Sequence, residues 1–133
     1  MKVLNLIIKQ KYFDAILSGR KVQEFREVRP TTIKKLLQLD SEGYEVEDEH
    51  GNAQPIKYDA IQFFVGYNKD RDSALVEVVG AHCEIFVDDK DEPITYEHGR
   101  DKDGQPLVWV AEQVVFDLGK ILSHNIRDKS KTV

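Results

Sequence analysis

Segments typical of β-strands follow one another closely along most of this chain of 133 residues. About six or seven short runs of β-branched and aromatic residues are separated by little more than turn-forming residues. Strands this close in sequence have no room for crossover connections, so they pair mainly as hairpins. The sequence therefore predicts a mainly β, largely antiparallel fold. A small barrel suits it, because closure removes exposed sheet edges.

The predicted strands cover residues 3–8, 21–28, 59–67, 74–87 with a bend near Gly80, 107–111 and 114–118. The first is nearly continuous in its hydrophobicity, which predicts burial on both faces. Two short helices are expected to pack at one side of the strands. Phe13 and Ile16 lie on one face of a helix over 10–18, which Gly19 ends, and Pro30 opens the second helix.

The remaining segments are polar. Residues 41–57 contain the turn sequence His50-Gly51-Asn52 and predict an exposed hairpin. Residues 88–106 are acidic with little periodicity, so we expect a loop, and no internal repeat is visible. The chain is long enough for one compact domain, which we place at 1–123, followed by a polar, frayed tail at 124–133.

Composition narrows the class of protein. The chain is 41% apolar and 32% charged, as expected for a folded domain with a core. Its apolar runs are far shorter than the roughly 20 residues of a membrane span, and no secretory leader is visible. With one cysteine, Cys83, it forms no internal disulfide, and its four histidines lack the spacing of metal ligands. We expect a cytoplasmic protein without a membrane partner, a bound metal or a cofactor.

Charge is unevenly distributed along the chain. Residues 1–39 carry nine basic and three acidic side chains, whereas residues 40–133 carry ten basic and twenty-one acidic ones. The net charge of −5 argues against nonspecific binding to long nucleic acids. A local basic surface remains compatible with one phosphate-bearing ligand, because salt screens distant charges. The other interpretation is that both halves are ordinary solvated surfaces.

The segment that follows the first helix is the most informative. Lys21, Glu24 and Arg26 come directly after the Gly19 turn, and Glu24 and Arg26 share one face of a strand, with Cβ atoms about 7 Å apart. If this face points inward, an ion pair lies over the core, where such pairs contribute little stability and are kept for another reason. If it points outward, the pair is a weak surface contact.

This segment resembles the signature of the ASCH domain family in the PUA-like superfamily. That signature is a strand, a helix ending in Gly-x-Lys, and x-x-Glu-x-Arg on the next strand. Here it reads Gly19-Arg20-Lys21-Val22-Gln23-Glu24-Phe25-Arg26. The resemblance covers the first 28 residues closely and the later strands only in character. It implies a PUA-like β-barrel whose cleft binds RNA or a nucleotide-like small molecule.

The resemblance also implies roles for particular residues. Lys21 and Arg26 would hold phosphate, and Glu24 would accept a hydrogen bond from a base or orient Arg26. A stacking aromatic ring would come from Tyr67 or Tyr12, since unpaired bases are commonly recognised by stacking. Lys69, in the turn that follows Tyr67, would contribute to the rim of the cleft. A solvated turn is the other interpretation of that segment.

Catalysis is a second hypothesis. A bacterial branch of the family removes the acetyl group from acetylated cytidine with a threonine nucleophile, and this chain has Glu24 at that position. The same mechanism therefore does not carry over unchanged. As an amidohydrolase, the protein would use Glu24 to activate water and Lys21 to stabilise the oxyanion. A second carboxylate would come from Glu92 or Glu97.

A third hypothesis is an interaction module. The acidic segments 41–52 and 88–103 would dock a basic protein partner. Such docking would depend on the carboxylates of the second half and would be insensitive to Lys21→Ala. Trp109, the only tryptophan, lies in an apolar run and is expected in the core.

Overall fold

The computed structural model of the protein describes residues 1–127. Within that range the chain is mainly β, with seven strands and two short helices. In order they are β1 (Val3–Ile8), α1 (Gln10–Leu17), β2 (Gln23–Val28), α2 (Ile33–Leu36), β3 (Ala60–Val65), β4 (Ser73–Ile85), β5 (Thr95–Arg100), β6 (Pro106–Val110) and β7 (Glu112–Asn125). The predicted mainly β class with two helices is confirmed.

Five strands form one sheet in the order β1-β3-β4-β7-β2, and β5 pairs with β6 in a second sheet. β1 runs parallel to β3, whereas β3 with β4 and β5 with β6 are antiparallel. Parallel strands need a long connection, and the segment between β1 and β3 provides one. An antiparallel hairpin would need only a short turn. Among the described residues β1 and β2 end the order and the sheet is open, so a closed barrel is not confirmed.

The chain divides into two compact units. The first comprises Met1–Glu24, Lys57–Gly80 and the residues from Phe116 onward, and the second comprises Phe25–Ile56 and Ala81–Val115. Three of the four divisions fall within β2, β4 and β7, and the fourth lies between Ile56 and Lys57; none is a Gly- or Ser-rich linker. The single-domain prediction over 1–123 stays a prediction. Of the predicted tail, residues 124 and 125 extend β7, and residues 128–133 lie outside the described part.

The core of the first unit begins with β1. Leu4, Leu6 and Ile8 are buried, while Val3 and Asn5 are exposed. Burial on both faces was the expectation and is wrong, because alternate side chains point to opposite faces and only one face of β1 is covered. Deeper in this core lie the fully buried rings of three phenylalanines, Phe13, Phe63 and Phe116, with their aliphatic neighbours.

α1 follows its predicted bounds closely. Phe13 and Ile16 are buried on one face of the helix. Gly19 adopts the left-handed conformation with φ +82°, and its amide donates to the carbonyl of Ile16 at 3.1 Å. The amide of Lys21 then donates to the carbonyl of Ala15 at 3.0 Å. This glycine turn reverses the chain and delivers it into β2, which begins two residues later than predicted.

The second unit uses one kind of turn four times. Each turn has five residues that begin with an aspartate, whose Oδ1 accepts the amides of the third and fifth residues at 2.8–3.0 Å. The fourth residue has a positive φ, which favours glycine. The turns are 40–44, 48–52, 88–92 and 101–105. The hairpin predicted around Gly51 is confirmed as one of them.

The same unit contains a backbone pattern that occurs twice. Gln38, Val46 and Gln54 form a closed ring of hydrogen bonds, in which each amide donates to a carbonyl of another member at 2.9–3.0 Å. A second ring joins the backbone of residues 86, 94 and 111 in the same sense at 2.8–2.9 Å. An internal repeat therefore exists in the described backbone, although none was expected from the sequence. The repeat lies in hydrogen bonding and turn type, which tolerate different side chains.

Two further expectations are corrected in this unit. The segment 88–106 is not a loop, because it contains β5 and two of the aspartate turns. Trp109 is only half-buried, and its indole N–H donates to the carbonyl of His98 at 2.9 Å. The β5–β6 ribbon exposes much of both its faces, so its apolar run does not make a core strand.

Candidate functional site

The signature residues of the first unit are held by the turn that joins α1 to β2. The Oγ of Ser18 donates to the carbonyl of Ala15 at 3.1 Å and accepts the Nε of Arg20 at 3.0 Å. With Gly19 in its left-handed conformation, these contacts fix the path of the chain up to Lys21. The backbone therefore presents Lys21 in one defined position at the entrance to β2.

Lys21 lies between an aromatic ring and a carboxylate. Its Nζ is 3.7 Å from Oε1 of Glu24 and 5.5 Å from the centroid of the Tyr12 ring. Glu24 is buried, with 6% of its surface exposed, whereas Tyr12 is 43% exposed. A cation over a ring face is attracted by the ring quadrupole. The two contacts restrict the ammonium group. The partly exposed ring of Tyr12 is also approached by Lys11, whose Nζ lies 4.8 Å from the ring centroid.

The orientation of β2 decides between the two interpretations of its polar face. Glu24 and Val28 are buried and Arg26 is half-buried, while Phe25 and Glu27 are exposed. The face with the signature glutamate and arginine therefore points inward. Lys21 and Glu24 belong to the first unit, and Arg26 belongs to the second.

Beside Lys21 the first unit contains a cavity of about 390 Å³. Its wall combines the end of α1, the start of the signature segment and part of β7. The lining residues are Ile16, Leu17, Ser18, Gly19, Lys21, Val22, Val76, Leu118, Gly119, Lys120 and Ile121. Among these described lining residues the charged ones are both lysines. The nearest carboxylates lie just outside the lining: Glu24 is 3.7 Å from Lys21, and Glu77 accepts the amide of Lys120 at 3.4 Å.

Lys120 was not found from the sequence, because almost a hundred residues separate it from the signature. Strand pairing brings the two segments together, and the amide of Leu118 donates to the carbonyl of Val22 at 2.9 Å. The neighbouring Gly119 is a further requirement of this wall. A Cβ there would come within 2.7 Å of Cγ1 of Val79 and would also collide with the carboxylate of Glu77. The Gly-Lys pair within an apolar strand was the available signal.

Tyr67 and Lys69 are placed elsewhere in the first unit. Both lie in the exposed turn between β3 and β4, and Tyr67 is 87% exposed. The turn is held by Arg71, which donates to the carbonyl of Gly66 at 2.7 Å and lies 4.1 Å from the centroid of the Phe64 ring. Neither Tyr67 nor Lys69 is in the described lining of the Lys21 cavity, so their role in binding stays a prediction.

Glu92 and Glu97, the candidates for a second carboxylate, belong to the second unit and are exposed. Glu92 is the last residue of an aspartate turn, where its amide donates to Asp88 at 3.0 Å. Within residues 1–127 no three His, Cys, Asp or Glu side chains are grouped so that they would hold a metal ion. In the same range no helix has the length and hydrophobicity needed to cross a membrane.

We compared the chain with models of protein families, with curated proteins and with solved structures, and none of them matches it. The resemblance to the ASCH family therefore depends on residues 19–26 and on their position between a helix and a strand.

Proposed function

We propose that the Lys21 cavity binds a nucleotide or a short single-stranded RNA, and that the chain is an ASCH-type member of the PUA-like superfamily with a barrel-like arrangement of its strands. The observation that carries this proposal is the pair of lysines on the wall of one cavity. The signature supports it, since its glycine, lysine and glutamate lie in and beside this wall.

The cavity has the size of a small-ligand site, for which about 300–1,000 Å³ is typical. Lys21 and Lys120 hold a phosphate, and the exposed ring of Tyr12 stacks on a base. Glu24 acts on Lys21, whose ammonium group it positions. A single phosphate site also agrees with the acidic net charge, which disfavours long RNA tracts.

The test is a titration followed by NMR chemical-shift perturbation with a nucleoside monophosphate, the matching nucleoside and a short single-stranded RNA. We expect perturbations at residues 16–22 and 118–121 for the phosphate-bearing probes. Lys21→Ala and Lys120→Ala should each weaken binding about ten-fold or more, because hydrogen bonds to charged groups contribute about 1.5–3 kcal/mol. Affinity should fall steeply with salt.

Lys102→Ala is the matched control, because it removes the same charge from an exposed turn of the second unit. Arg26→Ala tests the arginine of the signature, and Lys69→Ala tests the predicted rim of the cleft. If Lys102→Ala and Lys21→Ala weakened binding equally, the binding would be due to general electrostatic attraction and not to the Lys21 cavity. No perturbation by any probe would exclude the proposal at accessible affinities.

A second candidate function is hydrolysis of an acylated nucleoside such as acetylated cytidine. It is favoured by the burial of Glu24 within 3.7 Å of the Lys21 ammonium group, an arrangement of a base beside an oxyanion-stabilising cation. Acetate release from the nucleoside, absent in Glu24→Gln and in Lys21→Ala, would support it. Binding without release would leave the protein as a nucleotide-binding domain.

A further inference from the structure

The second unit contains a cavity of its own, with a volume of about 660 Å³. One part of its wall is apolar and aromatic and includes Ile33, Ile85, Leu107 and Trp109. These side chains come from α2, the end of β4 and the β6 strand. Cavities of this volume, largely apolar with a few polar groups, are typical of sites for small organic ligands.

The polar part of the same wall is acidic. Glu42, Glu45, Glu47 and Glu112 all line the cavity, and no lysine, arginine or histidine is found among its described lining residues. Glu112 is the deepest of them, with 7% of its surface exposed. An ionised carboxylate at this depth, without a basic partner among the lining residues, is costly, so the group either keeps its proton or needs a cation to compensate its charge.

Burial, together with the neighbouring carboxylates, shifts the pKa of two groups in this wall. Burial, then the hydrogen bond and charge of Glu45 and the charge of Glu47, raise the pKa of Glu112 to about 8. Burial, then the charges of Glu112 and Glu45, raise the pKa of the Cys83 thiol to about 12. Both groups therefore hold their protons at neutral pH, and the cavity disfavours any further anion.

We propose that this cavity binds a small organic cation, an ammonium group on an apolar body, with the ammonium at Glu112 and Glu45 and the hydrocarbon against Trp109 and Leu107. Charge complementarity selects a cation, and the apolar wall selects an organic one. A metal ion fits less well, since no three potential metal ligands are grouped within residues 1–127. The site lies in a different unit from the Lys21 cavity, so the two proposals stand or fall separately.

The carboxyl group of Glu112 couples binding to pH. The acidic groups that face it are Glu45 and Glu47, and the Cys83 thiol and Glu42 lie on the same wall. A bound cation favours the ionised form of Glu112, so binding releases a proton when it occurs below pH 8. Affinity should therefore rise with pH, by about ten-fold for each unit by which the cation lowers the Glu112 pKa.

Trp109 provides the readout, because it is the only tryptophan and lies in the cavity wall. Hexyltrimethylammonium is the probe, since its charge does not titrate, and hexanol and hexanoate are the neutral and anionic controls. Binding is followed by tryptophan fluorescence and by calorimetry at pH 6 and pH 9, on either side of the Glu112 pKa of about 8. We expect saturable binding of the ammonium probe, about ten-fold tighter at pH 9.

Glu112→Gln keeps the shape of the side chain and should remove both the tighter binding at pH 9 and its pH dependence. Glu97→Gln, an exposed glutamate of β5, is the matched control and should change neither. If Glu112→Gln fails to fold, Glu45→Gln serves instead. It removes a group that raises the Glu112 pKa, so the midpoint of the pH dependence should move below 8.

Three outcomes would overturn the proposal. One is equally tight binding of hexanol or hexanoate, which would make the cavity a general apolar site. Another is an ammonium affinity that does not respond to pH or to either glutamate variant. The third is the absence of any fluorescence or heat signal at millimolar probe, which corresponds to an affinity too weak for a specific site.

Discussion

The two units of this protein offer cavities of opposite charge. The wall in the first unit carries Lys21 and Lys120, whereas the wall in the second carries four glutamates, of which Glu112 is the most deeply buried. The units also differ in construction, since the first packs α1 on strands with alternating burial and the second is assembled from aspartate turns and hydrogen-bonded rings. The net charge of the chain therefore averages over local fields of opposite sign, each of which acts within about one Debye length.

The largest expected effect concerns the core of the first unit. Phe13→Ala removes a ring that is 1% exposed and should lower the free energy of unfolding by about 3–5 kcal/mol. Phe25→Ala, a matched truncation of a ring that is 45% exposed, should cost much less. Urea unfolding followed by circular dichroism measures both variants.

Trp109 makes the same experiment informative about the second unit, where it is the only tryptophan. Coincident transitions by tryptophan fluorescence and circular dichroism would mean that the two units unfold as one cooperative structure. Separate transitions would mean that they unfold independently. Equal losses for Phe13→Ala and Phe25→Ala would contradict the assigned core.

The second effect is the pH dependence of stability that Glu112 imposes. Its pKa is about 8 in the folded protein and 4.5 as the ordinary value, so the folded state binds more protons between these pH values. The contribution to stability is therefore complete below pH 4.5 and is lost as pH rises through 8. We expect a loss of about 2 kcal/mol over this window, because solvent screens part of the full penalty.

Urea midpoints measured at pH 5 and pH 8 test this expectation. Glu112→Gln should flatten the dependence on pH, while Glu97→Gln should retain it. A wild-type protein that is equally stable at both pH values would show that Glu112 is compensated, which would remove the contrast between the two cavities.

The third effect distinguishes the four aspartate turns from one another. Three of them have glycine at the left-handed position, whereas the turn 88–92 has Asp91 with φ +60°. Asp91→Gly should therefore stabilise the protein, and Gly51→Ala should destabilise it, each by about 1 kcal/mol. Thermal unfolding of Asp91→Gly and Gly51→Ala measures the sign of each change in stability, with Asp89→Ala as an exposed control. Changes of the same sign would contradict the equivalence of the turns.

Features that depend on residues close together in the sequence were predicted well, and features that depend on distant residues were not. Helix α1, its end at Gly19 and most strands follow local periodicity, so their positions were predicted closely. β5 was missed because its exposed, charged residues lack the alternation of a half-buried strand. The repeated Asp-x-x-Gly-x sequence was visible, and would have predicted three of the four turns if it had been treated as a pattern.

The sites were less accessible to sequence reasoning. Lys21 and Glu24 follow from one short segment and do contact each other. Lys120 needs the pairing of β7 with the segment at Val22, which nothing local specifies. The acidic cavity needs α2, the hairpin around Gly51, β4, β6 and β7 at once. Three of its glutamates were therefore treated as part of an exposed acidic segment, and Glu112 was not identified. Pairing between segments that are distant in the sequence forms the walls of both cavities. No local sequence pattern predicts that pairing.

The smallest expected effect is the most local test of the acidic cavity. Burial and the charges of Glu112 and Glu45 raise the pKa of Cys83 to about 12, so its thiol should react slowly with iodoacetamide at pH 8. Glu112→Gln removes one of these charges and lowers the thiol pKa. At pH 8 it should increase the alkylation rate by at most about two-fold, because about half of the Glu112 carboxyl groups are already protonated there. Glu97→Gln should leave the rate unchanged. The rates are compared at a pH where urea unfolding shows the three proteins to be equally stable. A less stable variant would open locally more often and expose its thiol for that reason alone. A faster reaction in Glu112→Gln alone would show that the charge of Glu112 acts on the Cys83 thiol. Equal rates in all three proteins would mean that burial by itself raises the pKa of the thiol. In that case the glutamates would exert no shared electrostatic potential on the cavity.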